Sequence, residues 1–254
     1  MNFGNILIEK KNGMAKIIIN KPPFNILTTA DTLDMSKALR QVESDDEVKV
    51  VVITGAGNKA FSAGVEFKDH LGDKGPKFLE AYKRLITSLL EIDRVTIAVV
   101  NGLALAMPCE IIALCDMAIA SEKAQMGLPQ MKLGSFPPLA SIVFPGLVGN
   151  KKTFEIILSG DNFDGKEAER IGFVNKAVPE DELQKETDVF VNRFLEHNGS
   201  ALRHARQVIY RNLDMEFNKA IKIVWAELEK SLTSDIVIEG FTAAMEKRKP
   251  AWKK

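Results

Sequence analysis

Hydrophobic and polar positions fall into distinct textures along the chain. Ile6, Ile8 and then Ala15, Ile17, Ile19 alternate with polar residues on either side of Asn12-Gly13. That period of two around a preferred two-residue turn predicts a β-hairpin over 6–20. Lys21-Pro22-Pro23-Phe24-Asn25 breaks the alternation. A helical period follows over 29–42, with Leu33, Ala38, Leu39 and Val42 on the inward face. Residues 48–54 are almost continuously apolar and end in Gly55-Ala56-Gly57, the pattern of a strand buried on both faces. A helix over 77–92, a second buried strand over 95–100, a helix over 110–115 and a third short strand over 117–120 come next. Buried strands alternating with helices predict an α/β layered architecture. After Pro179 the texture is charged and helically periodic over 180–230 and 234–248, interrupted by Gly199 and Gly240. The expected division is an α/β core over 1–195 and a helical region over 196–254.

Composition narrows the picture. The chain has 254 residues, 46% of them hydrophobic, enough for a sizeable buried core. Lys plus Arg equals Asp plus Glu at 34 each, so the basic footprint of a nucleic-acid partner is missing. Cys109 and Cys115 fit no metal-ligand spacing and read as buried reduced thiols on one helix. No apolar run reaches the length of a membrane span. Met1-Asn2-Phe3-Gly4-Asn5 lacks the basic and apolar regions of a signal peptide. The expectation is a cytoplasmic protein with neither a membrane nor a nucleic-acid partner.

Four segments carry candidate chemistry. Val99 to Glu110 is a β-like run that turns through small residues into a helix, placing Glu110 in the first helical turn. N–H groups are free at such a corner and can hold an anion. A carboxylate beside an anion site is minimal equipment for chemistry next to a carbonyl, although the helix dipole alone also favours it there. Pro108 suits the start of a helix and leaves Met107 as the residue with a free N–H. Ala60-Phe61-Ser62-Ala63-Gly64-Val65-Glu66 follows the first buried strand. It reads either as a tight turn or as a segment whose Ala63 N–H faces a pocket. Gln130, in the loop from Met126 to Pro138, is a neutral amide that can position a water or simply hold the loop. Met245-Glu246-Lys247-Arg248-Lys249-Pro250-Ala251-Trp252 ends a helix with cations suited to its dipole, to phosphates or to solvent. His70, in a polar loop after Glu66, is a candidate acid or base near neutral pH, against the plainer reading of a surface histidine.

In this order the segments resemble the crotonase (enoyl-CoA hydratase/isomerase) superfamily. Val100 to Gly149, Leu158-Ser159-Gly160-Asp161 and Ala168-Glu169-Arg170-Ile171-Gly172-Phe173-Val174 carry the likeness. Within it, Phe24-Asn25-Ile26-Leu27, Val65 to His70, Gly134 to Ala140 and Ser234 to Gly240 are similar to cyclohexa-1,5-diene-1-carbonyl-CoA hydratases. The resemblance implies a spiral of ββα units and a helical C-terminal region that assembles a homotrimer or homohexamer. It implies an unsaturated acyl-CoA thioester substrate, with coenzyme A part of the substrate, no other cofactor and no metal. It implies an oxyanion hole from the Ala63 and Met107 N–H groups and Glu110 as general base. CoA contacts fall on Phe24, Ala63, Gly64, Val65 and Glu66, with Lys247 of a neighbouring copy on phosphate. The sequence departs twice: Ala106-Met107-Pro108 replaces a glycine-rich run, and Gln130 stands where hydratases have a second glutamate. An amide cannot shuttle protons at neutral pH. The lone-carboxylate alternatives are a double-bond isomerase or a non-catalytic acyl-CoA-binding scaffold.

Overall fold

The computed structural model describes residues 2–213 and 217–251. The edge strand β1 (Asn2–Phe3) precedes the hairpin β2 (Ile6–Lys11) and β3 (Met14–Ile19), paired in register from Ile6↔Ile19 to Lys11↔Met14 around the Asn12-Gly13 turn. Helix α1 (Thr29–Glu43) starts at a capping box in which Thr28 and Asp31 satisfy each other's backbone N–H. Its buried face is Met35, Ala38, Leu39 and Val42, while Leu33, expected inward, is only half-buried.

From there the chain repeats one unit. A buried strand, a short outer strand and a helix follow in turn: β4 (Val50–Gly55), β5 (Ala60–Ser62), α2 (Lys74–Glu91), then β6 (Val95–Val100), β7 (Leu103–Leu105), α3 (Met107–Leu114). The third turn is β8 (Met117–Ser121), β9 (Gln125–Gly127), a 3-10 helix over Pro129–Leu133 and α4 (Ala140–Val148). Helix α5 (Asn150–Ser159), β10 (Asn162–Asp164), α6 (Gly165–Arg170) and β11 (Lys176–Val178) complete the core. Two sheets result, ordered β1-β2-β3-β4-β6-β8-β11 and β10-β9-β7-β5. This is the mixed α/β spiral of ββα units.

The continuous apolar runs follow from that layering. Val51, Ile53, Ala98 and Val100 face the main core beneath α1 and α2. Val50, Val52, Ile97 and Val99 face a second cluster with Leu183 and Val191 of α7 (Leu183–Leu195). Both faces of the central strands are therefore dry. The outer strands β5, β7, β9 and β10, only three residues each, were not anticipated, nor were α4 and α5. Cys115 caps the end of α3 rather than lying within it; it and Cys109 are buried free thiols.

Helices α8 (Gly199–Leu213), α9 (Phe217–Leu232) and α10 (Asp235–Met245) finish the chain, with Trp252 outside the described residues. Helix α10 lies against the 3-10 helix over Pro129–Leu133, at Gly240. A Cβ on Gly240 would overlap the Leu133 carbonyl, so this approach requires glycine. Replacing Gly240 with Ala is expected to lower unfolding stability by about 1–3 kcal/mol, read as a lower urea midpoint. Gly199→Ala, where the added carbon meets the flexible Lys49 and Arg203 side chains, is expected to leave the midpoint nearly unchanged.

Candidate active site

A cavity of about 190 Å³ opens where the outer sheet meets α2 and α3, roofed by Leu228 and Leu232 of α9 and Phe241 of α10. It gathers residues from four segments of the sequence: Ala63 to Val65, Met107 with Glu110, Gln130, and His70. Among the described lining residues Glu110 is the one carboxylate.

Glu110 is wholly buried. Its Oε1 accepts from the backbone N–H groups of Leu139 at 2.8 Å and Ala140 at 3.0 Å, at the mouth of α4. Its Oε2 accepts from the Tyr82 hydroxyl at 2.6 Å. Burial pushes the carboxyl up from its ordinary 4.5 to about 7, even though these three donors pull it down. The group is thus poised between acid and base at neutrality.

The corner before α3 holds Ala106 at φ 58°, ψ −127°. A side chain rarely adopts this conformation, at a cost of about 1–3 kcal/mol. The Ala106 N–H donates to the Gly127 carbonyl, anchoring the corner on β9. Met107, first in the helix and lining the cavity, makes no hydrogen bond through its N–H among the described residues.

The 60–66 segment requires a correction. Ala63 lines the cavity, but its N–H donates to the Phe24 carbonyl at 2.9 Å and is not a free donor. The free donor is Val65. Leu27 donates to the Gly64 carbonyl and accepts from Glu66, forming a parallel bridge opposite Val65. In such a ladder the residue in register turns its own N–H away from the partner strand. Among the described residues Val65 therefore keeps an unpaired N–H, on a residue that lines the cavity. Gly64, at φ 117°, permits the bend that sets this register.

Gln130 is buried with its Oε1 unpaired, an acceptor in want of a partner. His70 is not the surface histidine that its polar neighbours suggest. It lies in a 3-10 helix (Phe67–His70), with its ring 4.3 Å from Phe241 and 4.5 Å from Phe78, centroid to centroid. Its Nδ1 lies 3.2 Å from the Glu66 carbonyl, and burial pushes it down to about 4. It is neutral at pH 7, which removes it as an acid near neutrality. Asp69 fixes this wall by accepting from Thr29 N and Oγ1 at the start of α1.

Other predicted residues lie apart. Phe24 and Lys247 are exposed, and neither they nor Glu66 line the cavity. Arg248, in the C-terminal basic cluster, is committed to Glu239 and Glu246. Tyr82 and the α4 N–H groups were not anticipated. Tyr82 sits on an apolar face of α2 where an aromatic reads as ordinary core, and backbone donors leave no mark in a sequence. Among the described residues no group of three or more His, Cys, Asp or Glu is placed to hold a metal ion, and no helix is long and apolar enough to cross a membrane.

Two expectations follow. Between pH 4.5 and 7 the folded state binds more protons at Glu110 than the unfolded chain does, so stability falls as pH rises through that window, by about 3 kcal/mol. Glu110→Gln is expected to lack that slope, so its stability relative to the native chain rises with pH in urea titrations. Ala106→Gly is expected to raise stability by about 1 kcal/mol, since glycine enters this conformation without a Cβ clash, read as a higher thermal midpoint.

Comparison with known proteins agrees with this fold. Residues 9–254 match the family model described as enoyl-CoA hydratase/isomerase. The chain is 32% identical to a short-chain-enoyl-CoA hydratase of Clostridium acetobutylicum, over 98% of this chain and 97% of the relative. It is 31% identical to a crotonyl-CoA hydratase of Syntrophomonas wolfei, over 98% of each. It superposes on an enoyl-CoA hydratase of Mycobacterium avium subsp. paratuberculosis with a TM-score of 0.89 at 26% identity, covering 100% of both chains. The chain belongs to the enoyl-CoA hydratase/isomerase family.

Proposed function

We propose that this protein adds water to, or removes it from, a short or cyclic unsaturated acyl-CoA thioester, using one carboxylate. The carrying observation is the cavity that joins two unpaired N–H groups, of Val65 and Met107, to a buried carboxyl near neutrality, Glu110. Water attack on the β-carbon puts negative charge on the thioester oxygen. The two fixed donors stabilise that charge, an effect worth several kcal/mol of barrier where single such donors have been removed, about 3–4 each. Glu110 takes a proton from the water and, poised near 7, returns it to the α-carbon. One residue then does what two carboxylates otherwise share. The unpaired Gln130 Oε1 accepts from the attacking water. No cofactor beyond the substrate's own coenzyme A is needed for these steps.

The size of the cavity supports a small acyl group. A cavity of about 150 Å³ takes one benzene, so about 190 Å³ suits a four-carbon chain or a six-membered ring. The Phe67, Phe78, Phe136 and Phe241 side chains around it favour the cyclic dienoyl group. Exposed Phe154 and Leu158 on α5 are consistent with assembly into a homotrimer or homohexamer, in which Lys247 of one copy would reach another's CoA. A second reading, double-bond isomerisation, is favoured by the single carboxylate, since moving a proton between two carbons needs only one base.

The test is a panel of crotonyl-CoA, cyclohexa-1,5-diene-1-carbonyl-CoA, a sixteen-carbon 2-enoyl-CoA and a 3-enoyl-CoA, followed by mass and absorbance. The expected result is water addition to the short or cyclic substrate, the long chain being turned over at least tenfold less well. Glu110→Gln is expected to lower kcat by about 10²–10⁴-fold. Turnover unchanged by that substitution would sink the reading. Double-bond migration without mass gain would select the isomerase, and tight binding without turnover a scaffold.

A further inference from the structure

Glu110 has more acceptor capacity than its three donors use, and what remains lies in one place. A carboxylate offers about four lone-pair sites, two on each oxygen. Leu139 N–H and Ala140 N–H take both on Oε1. Tyr82 takes one of the two on Oε2. The last site, on Oε2, is the one available to a ligand in the cavity that Glu110 and Tyr82 line together.

We infer that Tyr82 is a positioning residue, whose hydroxyl fixes Glu110 Oε2 so that its remaining lone pair is the single proton-transfer site of the cavity. The inference rests on the proposed role of Glu110 and adds which oxygen acts and what holds it. Tyr82 is built for the task. It is buried, with its ring 5.8 Å from Phe78 in a stacked pair and 5.4 Å from Trp225 edge-on. These contacts give the phenol little freedom to turn, so the hydroxyl direction is set by packing from α2 and α9. Burial pushes the Tyr82 phenol well up, so it stays protonated and acts as a donor throughout the working range.

The same bond tunes the carboxyl. Tyr82 pulls Glu110 down against the burial that raises it. Other titratable groups near by leave that balance alone. Cys109, next in α3, is pushed up by burial and remains a neutral thiol. His70, on the 3-10 helix, is neutral. Lys132, on the other 3-10 helix, is paired with Asp161. Helix α4 brings only backbone N–H groups and no ionisable side chain. The phenol is the adjustable donor, because the other two belong to the main chain.

The test follows Glu110's own titration by carboxyl infrared difference spectra of the full chain between pH 5 and 9. Its band is identified as the one lost in Glu110→Gln. In Tyr82→Phe, which keeps the ring and removes the donor, the midpoint is expected to rise by about one to two pH units, the size of a hydrogen bond to a charged group. Crotonyl-CoA hydration at pH 7 is expected to fall roughly tenfold in that variant and to recover toward pH 8.5, as that shift requires. Site-specific 3-fluorotyrosine at position 82, a stronger donor of nearly the same size, is expected to move the midpoint down. A midpoint that stays within a few tenths of a unit in Tyr82→Phe overturns the inference. If that variant does not fold, the fluorotyrosine chain carries the test, and an unmoved midpoint there overturns it equally. Midpoints that move as expected while Glu110→Gln keeps full turnover uphold the positioning by Tyr82 and overturn the role of Glu110 as base.

Discussion

The Glu110 carboxyl is wholly buried, yet three donors from two directions hold it: the Leu139 and Ala140 N–H groups at the mouth of α4 and the Tyr82 hydroxyl from α2. An unpaired buried carboxylate would simply stay protonated, because removing its charge from water costs far more than a local structure returns. A carboxylate with saturated partners would sit at low pKa and be a weak base. The observed arrangement lies between these limits at about 7. It requires α2, α3 and α4, from three separate turns of the spiral, to converge on one side chain. The rest of the architecture can be understood as what makes that convergence rigid.

The outer sheet performs the complementary task. Ala106 is held at a positive φ by its N–H bond to Gly127 on β9, and this sets the start of α3 with the Met107 N–H unpaired. The bridge from Leu27 to Val65 uses the Gly64 carbonyl and the Glu66 N–H and spares the N–H of Val65. One donor comes from the segment after β5, the other donor and the carboxyl from α3, and all three face one cavity. Where charge develops on a substrate oxygen, such preset donors need no reorganisation.

Much of this was legible in the sequence. The central strands were, because apolar runs at 48–54 and 95–100 leave no other environment than a sheet covered on both faces. The corner at Met107-Pro108 and the carboxylate at Glu110 were, because Pro at a helix start and a strand–turn–helix pattern have direct backbone consequences. The choice between Ala63 and Val65 was not. It depends on the bridge that sets Val65 opposite Leu27 and on the bond from the Ala63 N–H to the Phe24 carbonyl, neither of which leaves a mark in the pattern of residues. The half-buried position of His70 was equally hidden, since its covering ring, Phe241, lies more than 150 residues away. Tyr82 carries no distinguishing mark in the sequence because it is a core residue, with one polar atom aimed at Glu110.

The most direct test of the site as a whole is a crystal structure with acetoacetyl-CoA, a thioester whose keto form has no α,β double bond to hydrate. The account predicts the thioester oxygen about 2.7–3.1 Å from both the Val65 and Met107 nitrogens, with Glu110 Oε2 facing the acyl β-carbon. A thioester oxygen held elsewhere, or an acyl group outside the cavity that Glu110 lines, would contradict it.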